Sequence, residues 1–580
     1  MDLRRYAVEY LTNPDQAQLR ALARAHTPSI LATQAGNLNK ISRNKARMAK
    51  YTYVIADSGE GISSKIIAPD QATALIEAQA GYIQRRGQLI EIQGYLGVGP
   101  RAVPVQYLYT IEGANIAGMQ QVLSFPRGAV EPDDTSPFAP HFQVIYTPNF
   151  FPEMPGGQAI LVDLKRYITY VMGPDYFGES KKGALRMLNH WAFDRGALVL
   201  HAGAKEVRVG EQRVSMTIMG LSGTGKTTTT FSKQGDVTQP IQDDMVTLWP
   251  SGEVSITENG CFAKTYGLTE DSEPVIYRGT LSAEAWVENA YLNDDMSFDF
   301  FKGALTPAEV TRWRDVLLRT GAPAENVEAY ASGAVTPESI LDAAGVLKDG
   351  WEFTRWTGNG RSIIPMSAIE DAADLHDIPA VKLMGILNRD EGRDAATPGI
   401  VKFTSPNQAA GYFMLGETTK TSAAGKEVGK TRSPFTQPFF PLAHGLQARR
   451  FSELAATMPE VTLWMMNTGY VGGDAADVSA GEAHKVKIRH SSAMLEALVT
   501  DAIAWREDPD FGYLVVDVDD PRNAALVASV PDEILNPALY YARRGRMEEY
   551  RSWVTQMKAE RRAFLESYEV DPAIVSAISG

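Results

Sequence analysis

The chain has 580 residues, 44% of them apolar and 22% charged, which are the proportions of an ordinary globular protein and exclude a disordered or fibrous one. Its 56 basic against 70 acidic residues give a formal charge of −14, which argues against general nucleic-acid binding and requires any anionic ligand to sit on a local basic island. The one cysteine, Cys261, excludes an internal disulfide framework and a cysteine-rich metal site.

The first eleven residues carry Asp2, Arg4, Arg5 and Glu9 with no apolar stretch behind them, and nowhere do about 18 apolar residues run together. Neither export by a signal nor a membrane span is expected, and the expected compartment is the cytoplasm. Residues 14–26 and 70–86 have helical spacing, whereas 51–55 and 89–92 read as short strands. Apolar strands follow at 142–146, 159–162 and 167–172, then a helix over 182–191 and a short apolar run, 197–201, that ends in His201. A further strand spans 213–219, and a hairpin is expected from 246–248 and 254–256 around Pro250-Ser251-Gly252. Two polar stretches, 388–399 and 416–431, read as loops, either lids or ordinary solvated connections. Residues 537–568 form a helical end. These elements predict an α/β protein, divided into an N-terminal mixed α/β domain (1–205) that contributes substrate and metal residues and a C-terminal nucleotide-binding domain (206–580).

Directly after the 213–219 strand comes Gly220-Leu221-Ser222-Gly223-Thr224-Gly225-Lys226-Thr227, and Thr228 to Phe231 begin a helix. Glycines let backbone N–H groups wrap phosphate oxygens, and the helix N-terminus faces negative charge. A P-loop of this kind predicts binding of a nucleoside triphosphate, with Lys226 at the β- and γ-phosphates and the Thr227 hydroxyl on a divalent ion. Fifteen residues on, Gln242-Asp243-Asp244 offers a carboxylate, Asp244 or Asp243, for Mg²⁺ or Mn²⁺.

The order Tyr176-Phe177-Gly178-Glu179-Ser180-Lys181-Lys182-Gly183, His201, the P-loop, Asp243-Asp244 and Gly260-Cys261-Phe262-Ala263-Lys264-Thr265 resembles the ATP-dependent phosphoenolpyruvate carboxykinases. The resemblance continues through Glu273-Pro274, Gly358-Asn359-Gly360-Arg361 and Asn467-Thr468-Gly469-Tyr470, covering about residues 95–500. It implies a two-lobed fold with a P-loop domain and mixed sheets. It also implies a catalytic Mn²⁺ on Lys182, His201 and Asp244, and a nucleotide-bound Mg²⁺ on Thr227. An ammonium has no lone pair, so Lys182 as a ligand must be neutral, which a neighbouring dication and desolvation favour. Lys226 and Lys264 would neutralise phosphate charge, Ser222 would lie near the transferring group, and Arg361 would bridge the organic acid and the γ-phosphate. Arg101 is the counterpart of the family's arginine for the acid's carboxylate, Tyr176 would lie beside the substrate, and Lys485 and Ser491 would line the adenine site.

The sequence also departs from the family. Its Gly-Val-Leu-Pro-Pro-Val-Ser stretch is replaced by 388–399, and Phe177 stands where glycine is common. The activity implied is reversible conversion of oxaloacetate and ATP to phosphoenolpyruvate, ADP and CO₂ by a monomer or small homo-oligomer, with no nucleic acid or membrane partner. The competing readings are a related kinase acting on another small acid or a protein serine, and a catalytically silent ATP sensor.

Overall fold

The computed structural model describes residues 9–43, 49–133, 135–221, 223–232, 238–343, 345–420, 429–437 and 439–579. The chain forms two compact units, Met1–His190 with Thr257–Glu370, and Trp191–Ile256 with Asp371–Gly580. It passes between them three times, where the sequence suggests one division at 205/206.

The first unit holds an eight-stranded sheet in the order Glu9–Thr12, Gln88–Leu96, Val103–Thr110, Phe142–Thr147, Ile168–Met172, Ala159–Asp163, Thr52–Ile55 and Lys65–Ile67. Against it lies the helix Pro69–Arg86, which starts with proline at its first position and stops at Gly87, whose φ of +75° suits a residue without a Cβ. Ala72, Ala80 and Ile83 of that helix join Leu89, Leu108, Ile145 and Leu161 in one buried cluster. Burying a side chain the size of Ile83 stabilises the fold by about 1.5–3 kcal/mol. A five-stranded sheet, Gly260–Lys264, Arg361–Pro365, Trp286–Glu288, Leu38–Lys40 and Ile30–Ala32, completes the unit. The helix Ala114–Leu123 is buried on nearly every side, and at Gly118 a Cβ would lie 2.4 Å from the Trp286 indole, so only glycine allows that approach.

The second unit is organised by another eight-stranded mixed sheet, Gln239–Gln242, Ala202–Val209, Gln212–Met219, Val381–Asn388, Thr462–Asn467, Ile400–Lys402, Leu514–Val516 and Trp505–Glu507. Its centre is parallel, with Met219 opposite Ile386 and Asn388 opposite Asn467. The remaining neighbours are antiparallel. Trp464 is fully buried across from Gly385, where any Cβ would overlap the indole. The fold is thus of the expected α/β class with mixed sheets.

The predicted hairpin forms between Val246–Leu248 and Val254–Ile256, with Val246 opposite Ile256. The helix predicted to start at Lys182 instead runs Gly178–Phe193, so both lysines lie in its first two turns. The stretch 416–431 contains two paired strands, Thr418–Lys420 and Gly429–Thr431, where the sequence suggests only a loop. The helical end is present as Pro537–Arg543, Met547–Glu566 and Pro572–Ser579. No helix among the described residues is long and apolar enough to cross a membrane.

Candidate functional site

In the second unit three parallel strands end together, and their carboxyl ends are where α/β sheets bind ligands. Gln212–Met219 runs into the glycine-rich loop, Val381–Asn388 into Arg389, and Thr462–Asn467 into Thr468. Gly223 and Gly225 take φ of +93° and +85°, a turn that residues with a Cβ resist, and Gly225 caps the helix Lys226–Phe231. The Thr224 hydroxyl donates to the Leu221 carbonyl at 2.7 Å, and the Thr468 hydroxyl donates to the Thr224 carbonyl at 2.8 Å. The loop is therefore tied to the end of the strand Thr462–Asn467, two places along the sheet. Thr227 is half-buried in the first turn, and Ser222 lies outside the described residues.

Beside the loop, Lys226 Nζ lies 3.0 Å from Asp244 Oδ1, and the same oxygen is 3.0 Å from His201 Nε2. Asp244, rather than the more deeply buried Asp243, supplies this carboxylate. His201 Nδ1 donates to the Phe435 carbonyl at 3.0 Å. With Nδ1 carrying the proton, a neutral His201 turns its Nε2 lone pair onto a carboxylate oxygen. A cation between the two relieves that opposition, so the pair fits a divalent metal with a backbone carbonyl fixing the ring. Burial lowers the His201 pKa, the Lys226 charge lowers it further, and Asp244 acts in the opposite sense. The neutral ring is the form a metal needs. No group of three or more His, Cys, Asp or Glu side chains suited to a metal occurs among the described residues.

A cavity of about 350 Å³ adjoins the loop, lined by Gly223 to Gly225, Thr228, Lys485 and Ser491 among others. The strand pair Tyr470–Val471 and His484–Lys485 sets Lys485 opposite Tyr470, with Nζ 4.2 Å from the ring centroid and donating to the Thr468 carbonyl at 3.2 Å. Burial, with the Arg389 charge nearby, brings the Lys485 ammonium down to about 8.

In the first unit, Lys182 donates to Glu179 Oε1 at 2.6 Å, and Arg186 to Glu179 Oε2 at 3.1 Å. All three stand on the helix Gly178–Phe193 at spacings that share one face. Burial would raise the Glu179 carboxyl, yet the Lys182 and Arg186 charges outweigh it and hold it at about 2. Lys181 pairs instead with Glu258 at 2.7 Å, both side chains 3% exposed, and its ammonium lies over the Phe262 ring. Arg361 faces the same ring, its Cζ 5.6 Å from the centroid. The strands Gly260–Lys264 and Arg361–Pro365 set Lys264 opposite Arg361. Tyr176 is buried, which raises its pKa, while the charge of Arg361 lowers it. Arg101 stands half-exposed in the turn Gly99–Arg101.

The predicted residues thus gather as His201, Asp244 and Lys226 around one carboxylate, Lys485 and Ser491 along one cavity, and Tyr176, Lys264 and Arg361 around one strand pair. Sequence reasoning assigned no role to Glu179, Glu258, Arg389 or the Phe435 carbonyl. Glu179 carries a local signal, an acid three residues before Lys182, but a backbone acceptor such as that of Phe435 leaves no trace in residue type.

The family model described as phosphoenolpyruvate carboxykinase matches residues 8–313 and 324–520. A relative from Thermus thermophilus, named phosphoenolpyruvate carboxykinase (ATP), is 26% identical over 81% of this chain and 77% of its own length. Relatives of the same name from Geobacillus thermodenitrificans and Parvibaculum lavamentivorans are 24% identical over 89% of this chain and 84% of their counterpart, and 26% identical over 81% and 75%, respectively. With a match that spans most of both units, and with the ordered motifs on strand ends and helix starts, this chain belongs to the ATP-dependent phosphoenolpyruvate carboxykinase family.

Proposed function

We propose that this protein converts oxaloacetate and ATP to phosphoenolpyruvate, ADP and CO₂, reversibly, in the cytoplasm. The observation that carries the reading is the His201–Asp244–Lys226 cluster beside a glycine-rich strand–helix loop. It joins a cation-accepting pair to a phosphate-accepting ammonium.

Backbone N–H groups of the loop and its helix would hold the triphosphate, with Lys226 on the transferring phosphoryl group. Mn²⁺ on Lys182, His201 and Asp244, and Mg²⁺ on Thr227 with the nucleotide, would stabilise the charge that develops on the enolate and on the phosphates. Asp243, one residue before Asp244 and buried, is the alternative carboxylate for the metal. Glu179 accepts a hydrogen bond from Lys182 at 2.6 Å, which fixes where the Lys182 nitrogen stands. Tyr176 and Arg101 would orient the dicarboxylate. Loss of its carboxyl group as CO₂ leaves an enolate whose oxygen attacks the γ-phosphate, while Arg361 and Lys264 spread the negative charge. Ser222 would act near that transfer, and Lys485 and Ser491 would receive the adenosine. Catalysis is then positioning and electrostatics, with no covalent enzyme intermediate.

Purified protein given oxaloacetate, ATP and Mn²⁺ should release phosphoenolpyruvate and ADP in equal amounts. Inactivity in both directions rejects the substrate assignment.

A further inference from the structure

Arg389 follows the last residue of the strand Val381–Asn388, next to the strand that delivers the glycine-rich loop. Its side chain lines the 350 Å³ cavity together with Gly225, Thr228, Lys485 and Ser491. The guanidinium is partly fixed, with Nη2 donating to Glu391 at 3.3 Å and Cζ 5.9 Å from the Tyr470 centroid, while the Arg389 backbone carbonyl accepts from the Thr419 N–H at 2.8 Å. Among the described residues its buried Nε has no acceptor.

The charged side chains of the cavity are all of one sign. Arg389, Lys485 and Lys487 all line it, and all three side chains are donors without acceptors. A guanidinium whose Nε is buried without a partner costs free energy until an acceptor arrives. Burial is the main cause of the depressed Lys485 ammonium, and the Arg389 charge lowers it further. The cavity is lined by the loop glycines but not by Lys226, Asp244 or His201, so it lies away from the end of the loop where a γ-phosphate would be held.

We infer that Arg389 is a further nucleotide-binding residue, donating from its planar fork to acceptors of the nucleoside part of ATP, the ribose oxygens and purine ring nitrogens, rather than to the phosphate chain. The inference rests on the ATP reading above and adds a contact that lies outside the motifs of the loop and of the 467–491 segment. It gives a function to part of the 388–399 stretch, where this chain departs from its family.

Binding of ADP and of inorganic tripolyphosphate to the full-length protein, measured by calorimetry with Mg²⁺ present, tests it. Arg389→Met should weaken ADP about tenfold, the value of one charge-assisted hydrogen bond, while tripolyphosphate stays within about twofold of wild type. Arg389→Gln carries the same comparison if the methionine variant does not fold. Unchanged ADP affinity overturns the inference, as does an equal loss for both ligands, which would assign Arg389 to the phosphates. Failure of the wild-type protein to bind ADP overturns the ATP reading itself, and this inference with it.

Discussion

His201 Nε2 and Asp244 Oδ1 lie 3.0 Å apart while His201 Nδ1 is committed to the Phe435 carbonyl. A nitrogen lone pair and a carboxylate oxygen held this close are two donors that a divalent ion could share. His201→Gln and Asp244→Asn should each weaken Mn²⁺ binding by at least the about 10–100-fold that residues one step removed from a metal produce. Titration of Mn²⁺ by electron paramagnetic resonance measures this, and wild-type affinity in both variants would remove the pair from the metal site.

Lys226 shares the Asp244 oxygen, so in the proposed reaction removing its charge would act on both the phosphate and the carboxylate. Lys226→Met should lower phosphoryl transfer about 10³-fold or more, the scale of a lost cation on a transferring phosphoryl group. Single-turnover rates at saturating ATP separate this from weaker binding.

Glu179 makes stability depend on acid. Its carboxyl titrates at about 2 in the fold against 4.5 for the free group, so the folded state resists protonation. The stabilisation is fully present above about 4.5 and is lost as pH falls from there towards 2. Glu179→Gln should flatten that acid slope. At neutral pH it should cost about 3–5 kcal/mol, because Lys182 and Arg186 lose their shared partner. Urea unfolding at a series of pH values reads both effects.

Lys485 predicts an alkaline limit to nucleotide affinity. With its ammonium down to about 8, the positive charge that favours an anionic ligand is present below that pH and lost above it. ADP affinity should therefore fall above pH 8 in the wild type. In Lys485→Arg it should stay level to higher pH, because a guanidinium keeps its proton. Parallel decline in both proteins would place the titrating group elsewhere.

Local chemistry was legible wherever residue type dictates geometry. Gly223 and Gly225 announce the turn by their freedom at positive φ, and the run Gln212–Met219 announces the strand by its β-branched and apolar residues. The choice between Asp243 and Asp244 was not legible. Two adjacent acids differ only in which one the chain turns towards His201, and that direction is set by the end of the strand Gln239–Gln242. Long-range pairing was equally hidden. Strands such as Ala202–Val209, with Lys205 and Glu206 both buried, break the apolar pattern because their polar side chains find partners inside, Lys205 on the Thr229 carbonyl and Glu206 on Arg213. The discontinuous units also have no marker in composition, since each crossing joins ordinary ordered segments.

The most direct measurement follows the γ-phosphate of labelled ATP mixed with oxaloacetate and Mn²⁺ in one turnover. The account predicts that the label appears in phosphoenolpyruvate, with one CO₂ released for each phosphoryl group moved. Label recovered only as inorganic phosphate, or left in ATP while oxaloacetate is consumed, would contradict it.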